Sequence, residues 1–452
     1  MRLRDFVITE ILAHQEGLFP RRSFSEDERQ GRLFRLRTCL LLRCLRRSER
    51  LPMSSIHNLQ EARLQRLLHR ISTRSLHWRT FLRQFVPTHD LAAMSLPLLS
   101  RFPLLSKDYY RGRELGKILV RDGGDTIHRA TTGSSGEPFH TYWPANGYQC
   151  WSTAYYLRVI PSSIFPVTLD SLGRRFIFLM GSFSPETWPA GHLALQWGMP
   201  VQNLGERYLI HAYSSFLVDL LKTRNLPDSF NISYVTATAE YLQEDKRLEV
   251  EEFIGAPVRR YYASRDGGWI AWECGVQNNL MHVNAERIIL EVVNPDSGEA
   301  ILDEPGEIVI TILDNWRMPL IRYRTGDEGI LRSQPCPCGV SLPLLEFLGR
   351  EAEFILLPDG KTFPATALRH IVIATLQNVL RVQIRQDALN KIFIAVVPRG
   401  HTQQRAGDQL LELRRQINAL LGGVFSIVVS IVPDVPVVVN GKRPFFIPLP
   451  HR

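Results

Sequence analysis

Short runs rich in β-branched and aromatic residues alternate along this chain with stretches of helical apolar spacing. That alternation limits the folds open to it. RRFIFLM at 174–180, NISYVT at 231–236, PVRRYY at 257–262, IILEVV at 288–293 and EIVITI at 307–312 read as strands. Helical patterns lie between several of them, at 211–224 and 240–254. Strand and helix taking turns argues for an α/β body, with helices covering a sheet. At 452 residues the chain exceeds what one hydrophobic core usually serves, so a second domain is expected. A restart after Arg350 marks it: a short strand (FILLP), a turn at Asp359-Gly360, a helix from Ala365, then strand-like runs at 391–397 and 424–432. The expected organisation is a helical extension over 1–57, a large α/β domain over 58–348 and a small α+β domain over 349–452.

The first part of the chain reads differently. Residues 28–50 predict an amphipathic helix, with Leu33, Leu36, Leu40 and Leu41 among arginines. Residues 58–84 predict a second, with Leu64, Leu67, Leu68 and Ile71; Pro52 and Ser54-Ser55 separate the two. Prolines in LPLLSRFPLLSK, 96–107, break any long helix. Residues 1–90 hold 18 Arg, no Lys and 9 Asp+Glu, which accounts for the whole net charge of +9; the remainder is balanced. Solvated helix faces explain such arginines, and so does contact with an anionic membrane surface or nucleic acid. No nucleic-acid motif accompanies them, so nucleic acid is not the expected partner. With 44% hydrophobic and 22% charged residues, disordered and collagen-like chains are excluded. No run of about 18 apolar residues is present to span a membrane. The first residues lack the apolar core of a secretion signal, and six cysteines make no disulfide framework, so a cytosolic enzyme is expected.

Three segments could carry chemistry. Thr131-Thr132-Gly133-Ser134-Ser135-Gly136-Glu137-Pro138 offers backbone N–H groups and hydroxyls in a flexible loop, which can wrap phosphates. It lacks the GxxxxGK pattern of a P-loop, and a solvent-facing loop has the same composition. Arg322-Tyr323-Arg324-Thr325-Gly326-Asp327 sets a carboxylate where it could accept two hydrogen bonds from a ribose diol, or simply close its own turn. Gly441-Lys442 follows a strand near the C-terminus and means little alone.

Together, in this order, these segments resemble the adenylate-forming (AMP-binding) enzymes, in particular the phenylacetate–CoA ligase branch with its coenzyme F390 synthetase and capsule-biosynthesis (CapK-like) relatives. TTGSSGEP is similar to the family's phosphate loop, often written SSGTTGKP. Tyr262-Ala263-Ser264-Arg265-Asp266 stands where the family has YGxxE, and Thr236-Ala237-Thr238-Ala239-Glu240 resembles the branch's GAE segment. RYRTGD matches the ribose motif, Gly349-Arg350 resembles the start of the hinge motif, and FPLLSK at 102–107 resembles the lead-in to the large domain. The resemblance covers about residues 58–452. It implies a large AMP-binding domain and a small mobile C-terminal domain. It also implies an enzyme that activates a carboxylic acid with ATP to an acyl-adenylate and passes it to a thiol, usually that of coenzyme A. A carrier-protein thiol or an amine are alternative acceptors, and a nucleotide-binding scaffold without turnover is the rival reading. By resemblance, Thr131, Thr132, Gly133, Ser134, Ser135 and Gly136 hold the β- and γ-phosphates of ATP. Glu240 and Tyr262 border the adenine, Asp327 holds the ribose, Arg350 supports it, Asp266 holds Mg²⁺, and Lys442 is the catalytic lysine. The chain departs from the pattern at Glu137 (often lysine), Asp266 (usually glutamate) and Ala352 (often acidic). The acid itself is not legible; Tyr142, Trp143 and Trp188 suit a flat acid or plain core alike.

Cysteine spacing adds one more expectation. Cys336-Pro337-Cys338-Gly339 puts two thiols one residue apart on a turn, and Cys274 with His282 would complete a four-ligand set for one structural Zn²⁺. Reduced, unmetallated thiols are the alternative. The resemblance favours the metal, since that branch carries cysteines and a histidine here.

Overall fold

The structure, a computed structural model, describes residues 3–13, 32–87, 94–111, 115–130, 139–145, 147–164, 176–179, 192–195, 207–223, 231–238, 242–277, 279–350, 354–359, 362–365, 368, 371–372, 375–376, 379–398, 406–436 and 445–449. Its helices are α1 (Leu3–Ala13), α2 (Arg32–Ser48), α3 (Met53–Arg74), α4 (Leu76–Arg83), α5 (Lys107–Arg111), α6 (Leu115–Ile118), α7 (Tyr148–Arg158), α8 (Ser214–Thr223), α9 (Glu244–Ile254) and α10 (Ala406–Leu420). A hairpin of β1 (Thr126–Ala130) and β2 (His140–Pro144) stands by itself. The large sheet holds β3 (Phe176–Leu179), β4 (His192–Leu195), β5 (Arg207–Tyr213), β6 (Asn231–Thr238), β7 (Val258–Ser264), β8 (Gly268–Glu273), β9 (Leu280–Val283), β10 (Ile288–Val293), β11 (Gly306–Ile312), β12 (Tyr323–Arg332) and β13 (Leu344–Arg350). The C-terminal part adds β14 (Phe354–Leu356), β15 (Thr362–Pro364), β16 (Val379–Ala388), β17 (Lys391–Pro398), β18 (Ser426–Ile431) and β19 (Phe446–Ile447). The mixed α/β class and the two-part build agree with the sequence reading.

The order in the 11-stranded sheet is β10-β11-β12-β13-β9-β8-β7-β6-β5-β3-β4. From β7 to β4 the strands run parallel, and from β7 to β10 antiparallel. In the parallel half β6 is enclosed almost throughout, as an apolar parallel strand requires, and α8 and α9 pack on it and its neighbours. The antiparallel half packs in a second, larger core with α2, α3, α4 and α7.

The N-terminal helices differ from their expected form in two ways. α3 starts at Met53, and the single helix expected over 58–84 is two, because Ser75 is extended and caps α4 through its Oγ, which accepts from Trp78 N at 3.3 Å. The helix expected over 28–50, α2, is no loose appendage. Phe34, Leu41, Leu42 and Leu45 are buried in the large domain's own core, and α2 lies against α7. Its end is tied down by charge. The Arg158 guanidinium donates to both Glu286 oxygens at 2.9 Å and to Glu49 Oε1 at 2.9 Å, and Ser48 Oγ also donates to Glu286. Arg46 NH2 donates to Ile160 O at 2.6 Å. A buried pair so fully hydrogen-bonded fixes one arrangement more than it adds stability.

The small part is a four-stranded sheet, β18-β17-β16-β19, with α10 on one face. β17 is apolar on both faces. Ile392, Ile394 and Val396 point into the small domain's core with α10, while Ala395 and Val397 join Leu380 and Val435 in a cluster with α8, α9 and β5 to β7 of the large domain. The two parts therefore share one buried apolar contact. Among the described residues no helix is long and apolar enough to cross a membrane.

Candidate active site

β7 is where the parallel and antiparallel halves of the sheet meet, and ligands of such sheets gather at strand carboxyl ends near a change of direction. The chain places its motif residues there. β6 ends at Thr238, Tyr262 lies near the end of β7, and Asp266 follows in the β7–β8 turn. The RYRTGD segment opens β12, four places from β7 in the sheet order. A flat sheet would hold those strands roughly 19 Å apart, at about 4.8 Å per strand. Instead Tyr262 OH donates to Asp327 Oδ2 at 2.7 Å, so the sheet curls until the two motifs touch. Phe347 of β13 lies against the Tyr262 ring, centroids 4.5 Å apart.

A second bond links the same two segments in reverse. Tyr323 OH donates to Asp266 Oδ2 at 2.7 Å, and Lys107 Nζ stands 3.7 Å from that oxygen. Gly267 N donates to Asp266 Oδ1 at 3.2 Å. Lys107 arrives because the FPLLSK segment is held on β12: Leu105 N donates to Arg322 O, and Arg324 N to Leu105 O, both at 2.9 Å. Burial pushes the Asp266 carboxyl up. The Lys107 ammonium and hydrogen bonds from Ser264 and Tyr323 outweigh it, and the group ends below its ordinary value. Burial, then the neighbouring carboxylates, push the Tyr262 and Tyr323 phenols well up, so both stay protonated donors.

Asp327 is presented by its own turn. Gly326 has φ +70, and a Cβ there would meet nothing, so glycine is required for its backbone and not for space. Thr325 Oγ1 accepts from Asp327 N at 3.1 Å. Arg322 is structural: its guanidinium bonds Glu291 and the carbonyls of Phe102 and Gly298. Arg350 is the Cα partner of Asp327 across β12–β13, which sets the hinge motif beside the ribose motif; its side chain lies outside the described residues. Thr131, Thr132, Gly133, Ser134, Ser135, Gly136, Glu240 and Lys442 also lie outside them, as does Trp188. The segment 131–138 connects β1 to β2, whose pairing runs from Thr126↔Pro144 to Ala130↔His140. Of the aromatic pocket candidates, Trp143 is fully buried, while Tyr142 stacks on His128 at 4.9 Å. Lys107, Tyr323 and Phe347 join the site only in the fold: Tyr323 and Lys107 lie within the RYRTGD and FPLLSK segments, but nothing in the sequence pairs either with Asp266.

As placed, Asp266 is partnered by protein donors on both oxygens. Mg²⁺ prefers carboxylate, phosphate and water oxygens; Tyr323 and Lys107 both engage Oδ2, so Oδ1, which takes the 3.2 Å bond from Gly267 N, is the oxygen better placed to meet such an ion.

The Cys/His set assembles as its spacing suggested. Cys274 follows β8 directly, His282 sits in β9, and Cys336 and Cys338 lie on the β12–β13 loop. Cys274 Sγ is 3.5 Å from Cys336 Sγ, and Cys338 Sγ is 3.3 Å from His282 Nε2; the four ligand atoms lie within 4.8 Å of one another. Tetrahedral bonds of about 2.0–2.3 Å give edges of about 3.3–3.8 Å, which the 3.3 and 3.5 Å contacts match, so the cluster could hold a metal ion. Amide N–H groups of Val276 and Gln277 aim at Cys274 Sγ, and that of Val340 at Cys338 Sγ, each at 3.4 Å. Burial raises the Cys274 thiol, but the His282 and amide bonds bring it down to about 6. Burial pushes Cys336 up to about 12, with its thiol neighbours adding to the rise, which a cation in their midst would relieve.

No family model matches the chain. It is 26% identical over 222 residues to phenylacetate–coenzyme A ligase of Thermus thermophilus, covering 46% of this chain and 50% of that protein. It is 23% identical over 193 residues to phenylacetate–coenzyme A ligase of Pseudomonas putida, covering 41% and 44%. The matched stretch spans half or less of each relative's length. Among solved structures, a 2-hydroxyisobutyryl-CoA ligase in the postadenylation state superposes with a TM-score of 0.69 at 15% identity, over 89% of this chain and 91% of that one. The fold is thus that of the adenylate-forming enzymes, and the sequence relatives are phenylacetate–CoA ligases.

Proposed function

We propose that the chain is an AMP-forming acid–thiol ligase. It activates a carboxylic acid with ATP to an acyl-adenylate, releasing pyrophosphate, and then transfers the acyl group to the thiol of coenzyme A, releasing AMP. The observation that carries this reading is the 2.7 Å bond between Tyr262 and Asp327, which joins two nucleotide motifs 65 residues apart at the change of strand direction. The names of the sequence relatives support coenzyme A as acceptor ahead of a carrier-protein thiol or an amine.

The chemical problem is charge. A carboxylate must attack an anionic α-phosphate, so cations and fixed donors have to offset the repulsion. In this proposal the 131–136 loop holds the β- and γ-phosphates, Tyr262 and Glu240 border the adenine, and Asp327 accepts from the ribose hydroxyls with Arg350 beside it. Lys442 bridges the acid and the α-phosphate. Mg²⁺, when bound, would neutralise phosphate charge, with Asp266 as its protein ligand. The Cys/His cluster is proposed to hold one structural Zn²⁺, clamping the loop after the ribose motif to β8 and β9. Six free thiols suit a reducing compartment, and a cytosolic location is part of the proposal.

One observation favours a second reading, a nucleotide-binding scaffold with weak or no turnover. Asp266 is already engaged by Tyr323, Gly267 and Lys107. Acid-dependent ATP–pyrophosphate exchange over a panel of aryl and short aliphatic acids decides between the two. Exchange with any acid, followed by a thioester on adding coenzyme A, supports the ligase; nucleotide binding without exchange supports the scaffold.

A further inference from the structure

The helix that buries one face in the large domain leaves an unusual one outside. On α2, Leu33, Leu36 and Leu40 are 56%, 54% and 40% exposed, at spacings of three and four residues, so they form one stripe. Arg32, Arg43 and Arg47 are exposed on the same side of the helical wheel. The helix contains no acidic residue. Its other side, with Phe34, Leu41, Leu42 and Leu45, is in the core, so the helix lies flat and cannot turn the leucines inward.

We propose that this face of α2 docks the protein on an anionic membrane surface, the leucines entering the headgroup boundary and the arginines meeting lipid phosphates and carboxylates. Interfacial helices combine these two features, and a surface arginine strengthens binding about fivefold. Nucleic acid would use the arginines but give the leucines nothing to bury against. A second copy would set arginine rows against each other with no acid on the helix to offset them. The proposal is independent of the ligase reading. Deleting the first 55 residues would remove core residues such as Leu42 and Leu45, so point variants on the exposed face are needed.

The full chain is sedimented with vesicles of phosphatidylcholine alone or with about one-third phosphatidylserine, at about 0.1 M and about 0.5 M salt. The wild type should bind the anionic vesicles at low salt and not the neutral ones. Leu33→Ser/Leu36→Ser/Leu40→Ser should bind at least tenfold more weakly. Arg32→Gln/Arg43→Gln/Arg47→Gln should bind about a hundredfold more weakly. Both variants should stay folded by circular dichroism, since all six side chains are exposed, and should keep any ATP–pyrophosphate exchange in solution. Three results overturn the idea: no binding of wild type to anionic vesicles, equal binding by the leucine variant, or a wild-type dimer in light scattering that the leucine variant converts to monomer.

Discussion

Asp327 and Asp266 sit one hydrogen bond from tyrosines of each other's motif, yet they are placed for different work. Asp327 has Tyr262 on one oxygen and a glycine turn that presents it. On the proposed ribose role, Asp327→Ala would leave the ribose hydroxyls without their acceptor, costing about 1.5–3 kcal/mol for charge-assisted bonds. ATP affinity by calorimetry should fall about tenfold or more; unchanged affinity in a folded variant counts against the ribose role. Asp266 instead has a lowered pKa held down chiefly by Lys107 against its own burial. A carboxyl whose folded value lies below the ordinary 3.9 or so stabilises the fold fully above about pH 4 and loses that contribution as pH falls through the folded value. Lys107→Met should therefore move the acid-unfolding midpoint to higher pH, followed by tryptophan fluorescence. A midpoint that stays put would show that the 3.7 Å pair contributes little. Lys442→Ala should cut pyrophosphate formation by orders of magnitude with ATP still bound, as expected for a residue acting only in the adenylation transition state; adenylate formed at the wild-type rate would remove it from that role.

Two elements carry consequences of their own. The β12–β13 loop is held to β8 and β9 through the Cys/His cluster. Purified protein should contain about one zinc per chain, and Cys338→Ser should lose it and melt at a lower temperature before activity per folded molecule drops. Metal-free protein of full stability, with freely alkylated thiols, would end that assignment. α2 is the other element. Leu45 is 1% exposed in the large core, so Leu45→Ala should cost about 2–5 kcal/mol in denaturant unfolding. A cost near zero would mean that the N-terminal helix is a dispensable extension after all.

For the whole molecule, the telling feature is that the small domain's sheet is used twice. Its inner face covers α10, and its outer face meets α8 and α9. Val397, 2% exposed, lies on the outer face. A buried aspartate there would be uncompensated, so Val397→Asp should release the contact and enlarge the radius of gyration in X-ray scattering, with α10 and its core intact by circular dichroism. An unchanged radius would show that other contacts hold the two parts together.

Legible along the chain were the class of fold, strands at 231–236, 288–293 and 307–312, which became β6, β10 and β11, and the four metal-capable ligands. Each rests on local information: apolar period, turn residues, or thiol spacing. β8, β12 and β13 escaped that reading, because in a curled sheet their apolar residues do not keep a clean alternation, and β16, with Arg381, Gln383, Arg385 and Gln386 among its apolar residues, escaped it too. The partnership of Tyr262 with Asp327, and of Tyr323 with Asp266, belongs to the tertiary structure alone. Curling of the sheet over four strand places brings those residues together, and no spacing along the chain records it. The same holds for KIFIAVV: its continuous apolar run announces burial on both faces, but only packing decides that one face serves the small domain and the other the large. In α2 the leucines are too many for one stripe, and only the position of the core says which of them are left facing water.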